Sequence, residues 1–136
     1  MALMVLDLDR FKEVNDSVGH HMGDLLLKAV AGRMEGRLRA SDTVARIGGD
    51  EFSVMLSEIS QPGDAVTVGG NLLKLFSEPF RIDGASVHCT ASIGIAIYPD
   101  DGEEIEALLK NADAAMYRAK EQGRNRYFVS LPRSAG

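Results

Sequence analysis

Thr43–Leu56, TVARIGGDEFSVML, carries the hairpin around which the other elements arrange. Thr43–Ile47 and Phe52–Leu56 are two β-prone runs, and Gly48-Gly49-Asp50-Glu51 between them predicts a hairpin tip with glycines where positive φ is required. On its N-terminal side, Leu3–Leu6 is a continuous apolar run that ends at Asp7, the pattern of a strand buried on both faces. Asp9–Val18 reads as a brief helix after a tight turn, and Gly19–Gly23 as a break. From Asp24, placed as an N-cap or first-turn acid, Leu26, Leu27, Val30, Met34 and Leu38 recur at helical spacing and predict a helix to about Ala40. On the C-terminal side, Pro62-Gly63-Asp64 opens a third helix with Ala65, Val68, Gly69, Leu72, Leu75 and Phe76 on one face, and Pro79 bars its continuation. Phe80–Ile82 and Ala85–Cys89 flank Asp83-Gly84 as a small hairpin. Ser92–Tyr98 is a strand with Ile93, Ile95 and Ile97 alternating. A last helix carries Ile105, Leu108, Leu109, Ala112, Met116 and Ala119 and stops at Gly123, and Tyr127–Val129 suits a final edge strand.

The element order is β-α-α-β-β-α-(ββ)-β-α-β. Without the extra hairpin its core is the split β-α-β arrangement, β-α-β-β-α-β. The predicted class is α/β in the α+β sense: a ferredoxin-like or palm-type core with a mostly antiparallel five-stranded sheet flanked by helices. Residues 1–130 read as one domain and 131–136 as a tail.

Composition narrows the function classes. The chain has 136 residues, 15 Lys+Arg against 20 Asp+Glu, a net charge of −5, 45 % hydrophobic residues and one cysteine. That is enough apolar material for one core, which excludes disorder as the main description. Cys89 alone cannot form an internal disulfide. No apolar run approaches the roughly 20 residues a membrane span needs, and the first residues lack a basic signal-peptide n-region. The acidic balance predicts no nucleic-acid partner, yet leaves room for a phosphorylated small molecule held by a few placed cations.

In the split β-α-β topology the first strand lies antiparallel beside the third, so Asp7 and Asp9 are expected to meet Asp50 and Glu51 at one sheet edge. Any one of these acids alone reads as an ordinary surface feature. Four together repel unless a cation sits between them, and carboxylate oxygens suit Mg²⁺ or Mn²⁺ arriving with substrate phosphates.

At these residues the chain resembles a known family. Arg46-Ile47-Gly48-Gly49-Asp50-Glu51-Phe52 carries the signature of the GGDEF family, the diguanylate cyclases. Leu6–Asp16 (LDLDRFKEVND) resembles the family's D-x-D-x-F-K-x-x-N-D segment. Gly19-His20 followed by Gly23-Asp24 resembles G-H-x-x-G-D, and Ala91–Ala96 resembles its S-I-G strand. Ala112–Lys120 with Gly123-Arg124-Asn125 resembles A-D-x-A-x-Y-x-A-K…G-R-N. The five ordered segments span nearly the whole chain.

The resemblance implies condensation of two GTP into cyclic di-GMP with release of two pyrophosphates. It implies that Asp7 and Asp50 bind divalent metal, Mg²⁺ or Mn²⁺, with the Leu8 carbonyl assisting. Asn15 and Asp24 would read the guanine edge. Backbone N–H groups of the Leu8–Lys12 turn, Phe11 and Lys12 included, would face the phosphates, with Lys120 and Arg124 on the β- and γ-phosphates. Gly48 and Gly49 would leave room for the nucleotide, and Asp50 and Glu51 would be catalytic. One domain binds one GTP, so a homodimer is implied for catalysis. Arg39-Ala40-Ser41-Asp42 fits the family's inhibitory R-x-x-D site for cyclic di-GMP, Arg39 and Asp42 being its contacts. Gly69-Gly70-Asn71 stands where many members carry an additional arginine of that site.

The family's helical lead-in, D-x-L-T-G-L-x-N-R, does not precede the first strand here: either an upstream part has been cut away or the domain differs there. Linked sensor and EAL phosphodiesterase domains are implied partners, because the Ala112–Tyr127 wording resembles GGDEF domains followed by EAL domains. The implied address is the bacterial cytoplasm, any membrane attachment lying in domains outside this sequence.

Two other readings compete. One is a catalytically silent GTP- or cyclic di-GMP-binding domain that regulates a linked EAL domain. The other is a polymerase-palm or adenylyl-cyclase-like enzyme, disfavoured by the Gly48–Phe52 string and the guanine-reading pair. His20-His21 lacks a partner at metal-ligand spacing, so His20 is expected to bond a loop carbonyl. Cys89 is expected to be inert in an apolar strand, Met22, Met34, Met55 and Met116 to fill the core, and Tyr98 and Tyr117 to be half-buried.

Overall fold

The computed structural model describes residues 1–130, and the tail read at 131–136 lies outside the described residues. The elements are β1 (Ala2–Leu8), α1 (Phe11–Val18), α2 (His20–Glu35), β2 (Thr43–Gly48), β3 (Glu51–Leu56), α3 (Pro62–Leu75), β4 (Phe80–Ile82), β5 (Ala85–Val87), β6 (Ala91–Ile97), α4 (Ile105–Glu121) and β7 (Arg126–Val129). The main sheet has the order β2-β3-β1-β6-β7, and β4-β5 form a separate two-stranded ribbon. Every main-sheet pairing is antiparallel except β6 with β7, which is parallel. This is the α+β, palm-like arrangement expected.

β1 and β6 lie in the middle of the sheet and are buried on both faces, which is why they read as nearly unbroken apolar runs. Alternation divides their side chains. Leu3, Val5 and Ala96 pack with Leu108, Ala112 and Met116 of α4 on one face. Met4, Leu6, Ile93 and Ile95 join Leu26, Val30, Met34, Leu72 and Phe76 from α2 and α3 on the other. Each buried Leu, Val, Ile, Met or Phe among them is worth about 1.5–3 kcal/mol. Gly94 is required here: a Cβ would lie 1.8 Å from the Ala112 carbonyl oxygen, so α4 could not approach β6.

Several boundaries differ from expectation. Gly19 alone, at φ 91, separates α1 from α2, and α2 begins at His20. Asp24 is therefore inside the helix rather than its cap, and Gly23 is a helical residue kept small by Asn15. α2 ends at Glu35, five residues early; the Gly36 N–H closes its last turn on the Gly32 carbonyl, and Leu38 packs from the following loop. At the β2–β3 tip only Gly49 has positive φ (45); Gly48 ends β2 beside a bulge. Cys89 lies beyond β5, buried in the connection to β6. Tyr98 is exposed and Tyr117 is 62 % exposed, because Ala115, Met116 and Ala119 occupy the sheet-facing side of α4. His20 is exposed at the start of α2.

Candidate active site

The register places the acids. β1 and β3 pair Asp7 with Glu51, and the Leu8 N–H donates to the Asp50 carbonyl at 3.2 Å. The hairpin tip is braced by Arg46, whose Nε donates to the Gly49 carbonyl at 2.9 Å. Asp7 is 7 % exposed, and Lys120 reaches it from the last turn of α4 in an ion pair with Oδ2. The other oxygen, Oδ1, is buried without a hydrogen-bond partner.

The electrostatics follow from that crowding. Burial raises the Asp7 pKa and neighbouring Asp50 raises it further; Lys120 opposes both, and the balance is about 6 against an ordinary 3.8. Burial also raises Glu51, as do the charges of Asp113 and Asp50. For Lys120, burial works against its charge, but the hydrogen bond and charge of Asp7, with Asp50 and Asp9, outweigh it and raise its pKa. Asp113, beside Glu51, was given no role by the sequence reading. Its spacing of seven from Lys120 was the available signal, since two helical turns put both on one face of α4.

The fourth expected acid is absent from this cluster as a free group. Asp9 is 5 % exposed, and its carboxylate accepts from Thr90 Oγ1 (2.7 Å), Ser92 Oγ (2.6 Å) and the Asn125 N–H (3.0 Å). Arg10, at φ 58, turns the chain directly after it. Among the described residues no three His, Cys, Asp or Glu side chains form a ready metal cage. The orphaned Oδ1 of Asp7 beside Asp50 nevertheless fits a hard divalent ion that draws its remaining ligands from elsewhere, as Mg²⁺ does.

The other expected residues lie at separate places around the fold. Asn15 lies at the α1–α2 corner: a Cβ on Gly23 would sit 1.7 Å from Asn15 Oδ1, which is buried and unpaired, and Asp24, next to Gly23 in the chain, is exposed. Phe11 is a core side chain, so only its backbone is available, whereas Lys12 is exposed. α1 carries no side-chain N-cap, which leaves its first-turn N–H groups uncapped. Arg124 is exposed in the loop after α4, at φ 63, and lines a groove of about 490 Å³ with Arg10, Glu13, Val14, Cys89 and Asn125. Asp7, Asp50 and Glu51 do not line that groove. Burial pushes the Cys89 thiol up to about 11, which keeps it protonated and unreactive. Gly48 and Gly49 are exposed, with nothing of the chain within 4 Å of a Cβ at either.

Arg39 and Asp42 form a turn before β2. The Asp42 Oδ2 accepts from the Arg39 N–H at 3.0 Å and lies 3.7 Å from its Nε, while Asp42 Oδ1 is buried without a partner. The six residues of β2 separate this turn from Asp50, about 20 Å at strand rise.

The family model described as "Diguanylate cyclase, GGDEF domain" matches residues 1–126. The chain is 55 % identical over 126 residues to the bifunctional diguanylate cyclase/cyclic di-GMP phosphodiesterase MucR of Pseudomonas aeruginosa, covering 93 % of this chain and 18 % of MucR. It is 48 % identical over 125 residues to the cyclic di-GMP phosphodiesterase NbdA of the same organism, covering 92 % of this chain and 16 % of NbdA. The chain thus spans less than a fifth of the length of these two relatives. Among solved structures, the GGDEF domain of P. aeruginosa TpbB superposes with a TM-score of 0.93 at 44 % identity, covering 96 % of this chain and 81 % of that one. Diguanylate cyclases of this kind use divalent metal ions. The chain belongs to the GGDEF family of diguanylate cyclase domains.

Proposed function

We propose that this chain is the GTP-binding half of a diguanylate cyclase, which joins two GTP into cyclic di-GMP when two copies meet face to face. One observation carries the reading: Asp7, Asp50 and Glu51 converge at a sheet edge around Lys120, with one Asp7 oxygen buried and unpaired. Asp7 and Asp50, with the Leu8 carbonyl, would hold Mg²⁺ or Mn²⁺. When bound, the ion supplies charge neutralisation at the phosphates and a lower pKa for the attacking 3′-hydroxyl.

The chain's own groups do the rest. The uncapped first turn of α1, including the Phe11 and Lys12 N–H groups, and the side chains of Lys120 and Arg124 would cradle the triphosphate. Asn15 offers an unpaired amide oxygen and Asp24 an exposed carboxylate to the guanine edge, whose N–H groups donate. The open tip at Gly48-Gly49 leaves space for the nucleotide. Asp50 and Glu51 hold or accept a proton near the attacking hydroxyl, a role the raised Glu51 pKa suits. Arg39 and Asp42, distant from the carboxylates, would take cyclic di-GMP as a feedback inhibitor.

A second reading is favoured by NbdA, a relative named as a phosphodiesterase. Here the chain binds GTP without turning it over and regulates a linked EAL domain. Incubation with mixed ATP and GTP plus Mg²⁺, followed by product identification, separates the readings. The first predicts cyclic di-GMP alone, abolished by Asp50→Ala. Nucleotide binding with no product, in a preparation verified as dimeric, selects the second.

A further inference from the structure

The catalytic reading leaves Asp9 without a task, yet Asp9 is among the most fully bonded side chains of the fold. Its carboxylate gathers three segments: Thr90 and Ser92 at the start of β6, and the Asn125 N–H in the loop between α4 and β7. Its own N–H donates to the Thr90 carbonyl at 2.9 Å. That loop has an unusual backbone. Gly123, Arg124 and Asn125 have φ of 121, 63 and 48, three consecutive residues in positive-φ space, where glycine is at ease, asparagine is tolerated and arginine is not. Such a run persists only when its surroundings hold it.

Beside two short local bonds, from the Gly123 N–H to the Lys120 carbonyl (3.3 Å) and from the Arg126 Nε to the Arg124 carbonyl (2.9 Å), two bonds do so: the Arg124 N–H donates to the Ala119 carbonyl at 2.9 Å, and the Asn125 N–H donates to Asp9 at 3.0 Å. The first ties the loop to its own helix. The second ties it across the molecule to the turn that follows Asp7 and Leu8.

We infer that Asp9 is a positioning residue that locks the Gly123–Asn125 loop to the β1–α1 turn and so fixes Arg124 relative to Asp7. The inference rests on the proposal that Arg124 meets the distal phosphates of GTP. It assigns Asp9 to neither metal nor substrate. The coupling works through hydrogen bonds rather than charge. An asparagine could keep all three bonds: its amide oxygen accepts from Thr90 and Asn125, and its amide NH₂ donates to the Ser92 hydroxyl.

Hydrogen–deuterium exchange and nucleotide titration of wild type, Asp9→Ala and Asp9→Asn test this. In the free protein, Asp9→Ala should accelerate exchange across residues 123–126 at least tenfold, and Asp9→Asn should restore most of the protection. In Mg²⁺, Asp9→Ala should weaken a non-hydrolysable GTP analogue at least tenfold while leaving GMP, which lacks the distal phosphates, unchanged. In an Arg124→Ala background the same substitution should add less than twofold.

Unchanged exchange in Asp9→Ala overturns the inference. So does equal loss of GMP and GTP-analogue binding, or an Asp9→Asn variant as impaired as Asp9→Ala, which would mark the charge itself as the working part. A wild type that binds no guanine nucleotide overturns the substrate reading instead. The exchange comparison needs no nucleotide and decides the lock by itself.

Discussion

At the residue scale the site is built from groups whose surroundings leave them unfinished. Asp7 is buried beside Asp50 with one oxygen unpaired, so the folded chain holds its proton more tightly than the unfolded chain does. The sign follows: Asp7 favours the folded state most at low pH, and this contribution is lost as pH rises from about 3.8 to about 6. The loss is at most about 3 kcal/mol. Glu51 and Asp101 are raised too, so they act in the same direction. Urea unfolding in chelator is expected to show Asp7→Asn with a shallower decline across that window than wild type. The substitution should also abolish turnover, the pattern of a group kept for function at a cost in stability.

Gly23→Ala makes a separate residue-scale case. Alanine gains up to about 1 kcal/mol in a helix interior. Its Cβ would displace the Asn15 amide, a movable side-chain end. Thermal stability should hold or rise while GTP affinity falls about tenfold or more, the value of one lost polar contact. At this scale Asp7 was legible from the sequence and Asp9 was not. Both sit at strand spacing and read as one cluster. The turn at Arg10 and the hydroxyls of Thr90 and Ser92, 81 and 83 residues away, give Asp9 a different fate.

At the scale of elements, α4 is the piece whose placement matters most. It packs on β6 and β1 and carries Asp113 and Lys120 to the carboxylates. Gly94→Ala would drive a Cβ into α4 backbone, 1.8 Å from the Ala112 oxygen and 2.4 Å from the Met116 nitrogen. Backbone cannot swing aside, so a loss of about 3 kcal/mol, the upper end of the overpacking range, is expected from chemical denaturation. Lys120 would then leave Asp7. The strands and the stripes of α3 and α4 were readable because periodicity reports the buried face directly. The start of α2 was not, because Gly23 and two histidines look like a break. Gly19 alone supplies the turn, and Gly23 is small to admit Asn15.

At the scale of the whole molecule, the sheet brings metal-type and phosphate-type groups to one edge and leaves the Arg39–Asp42 turn at the far end of β2. That separation gives a clean expectation. Arg39→Ala should leave initial turnover near wild type and raise the cyclic di-GMP concentration needed for half-inhibition at least tenfold, measured by pyrophosphate release with added product. The chain is less than a fifth of MucR or NbdA, and what those longer proteins add to control lies outside it. Two copies of this site, facing each other, are proposed to make cyclic di-GMP. Fusing the chain to a dimerising coiled coil, verifying the dimer and GTP binding, and assaying product from GTP and Mg²⁺ decides this. The dimer is expected to yield cyclic di-GMP, and the monomer and the Asp50→Ala dimer none. A GTP-bound dimer that yields no cyclic di-GMP would contradict it.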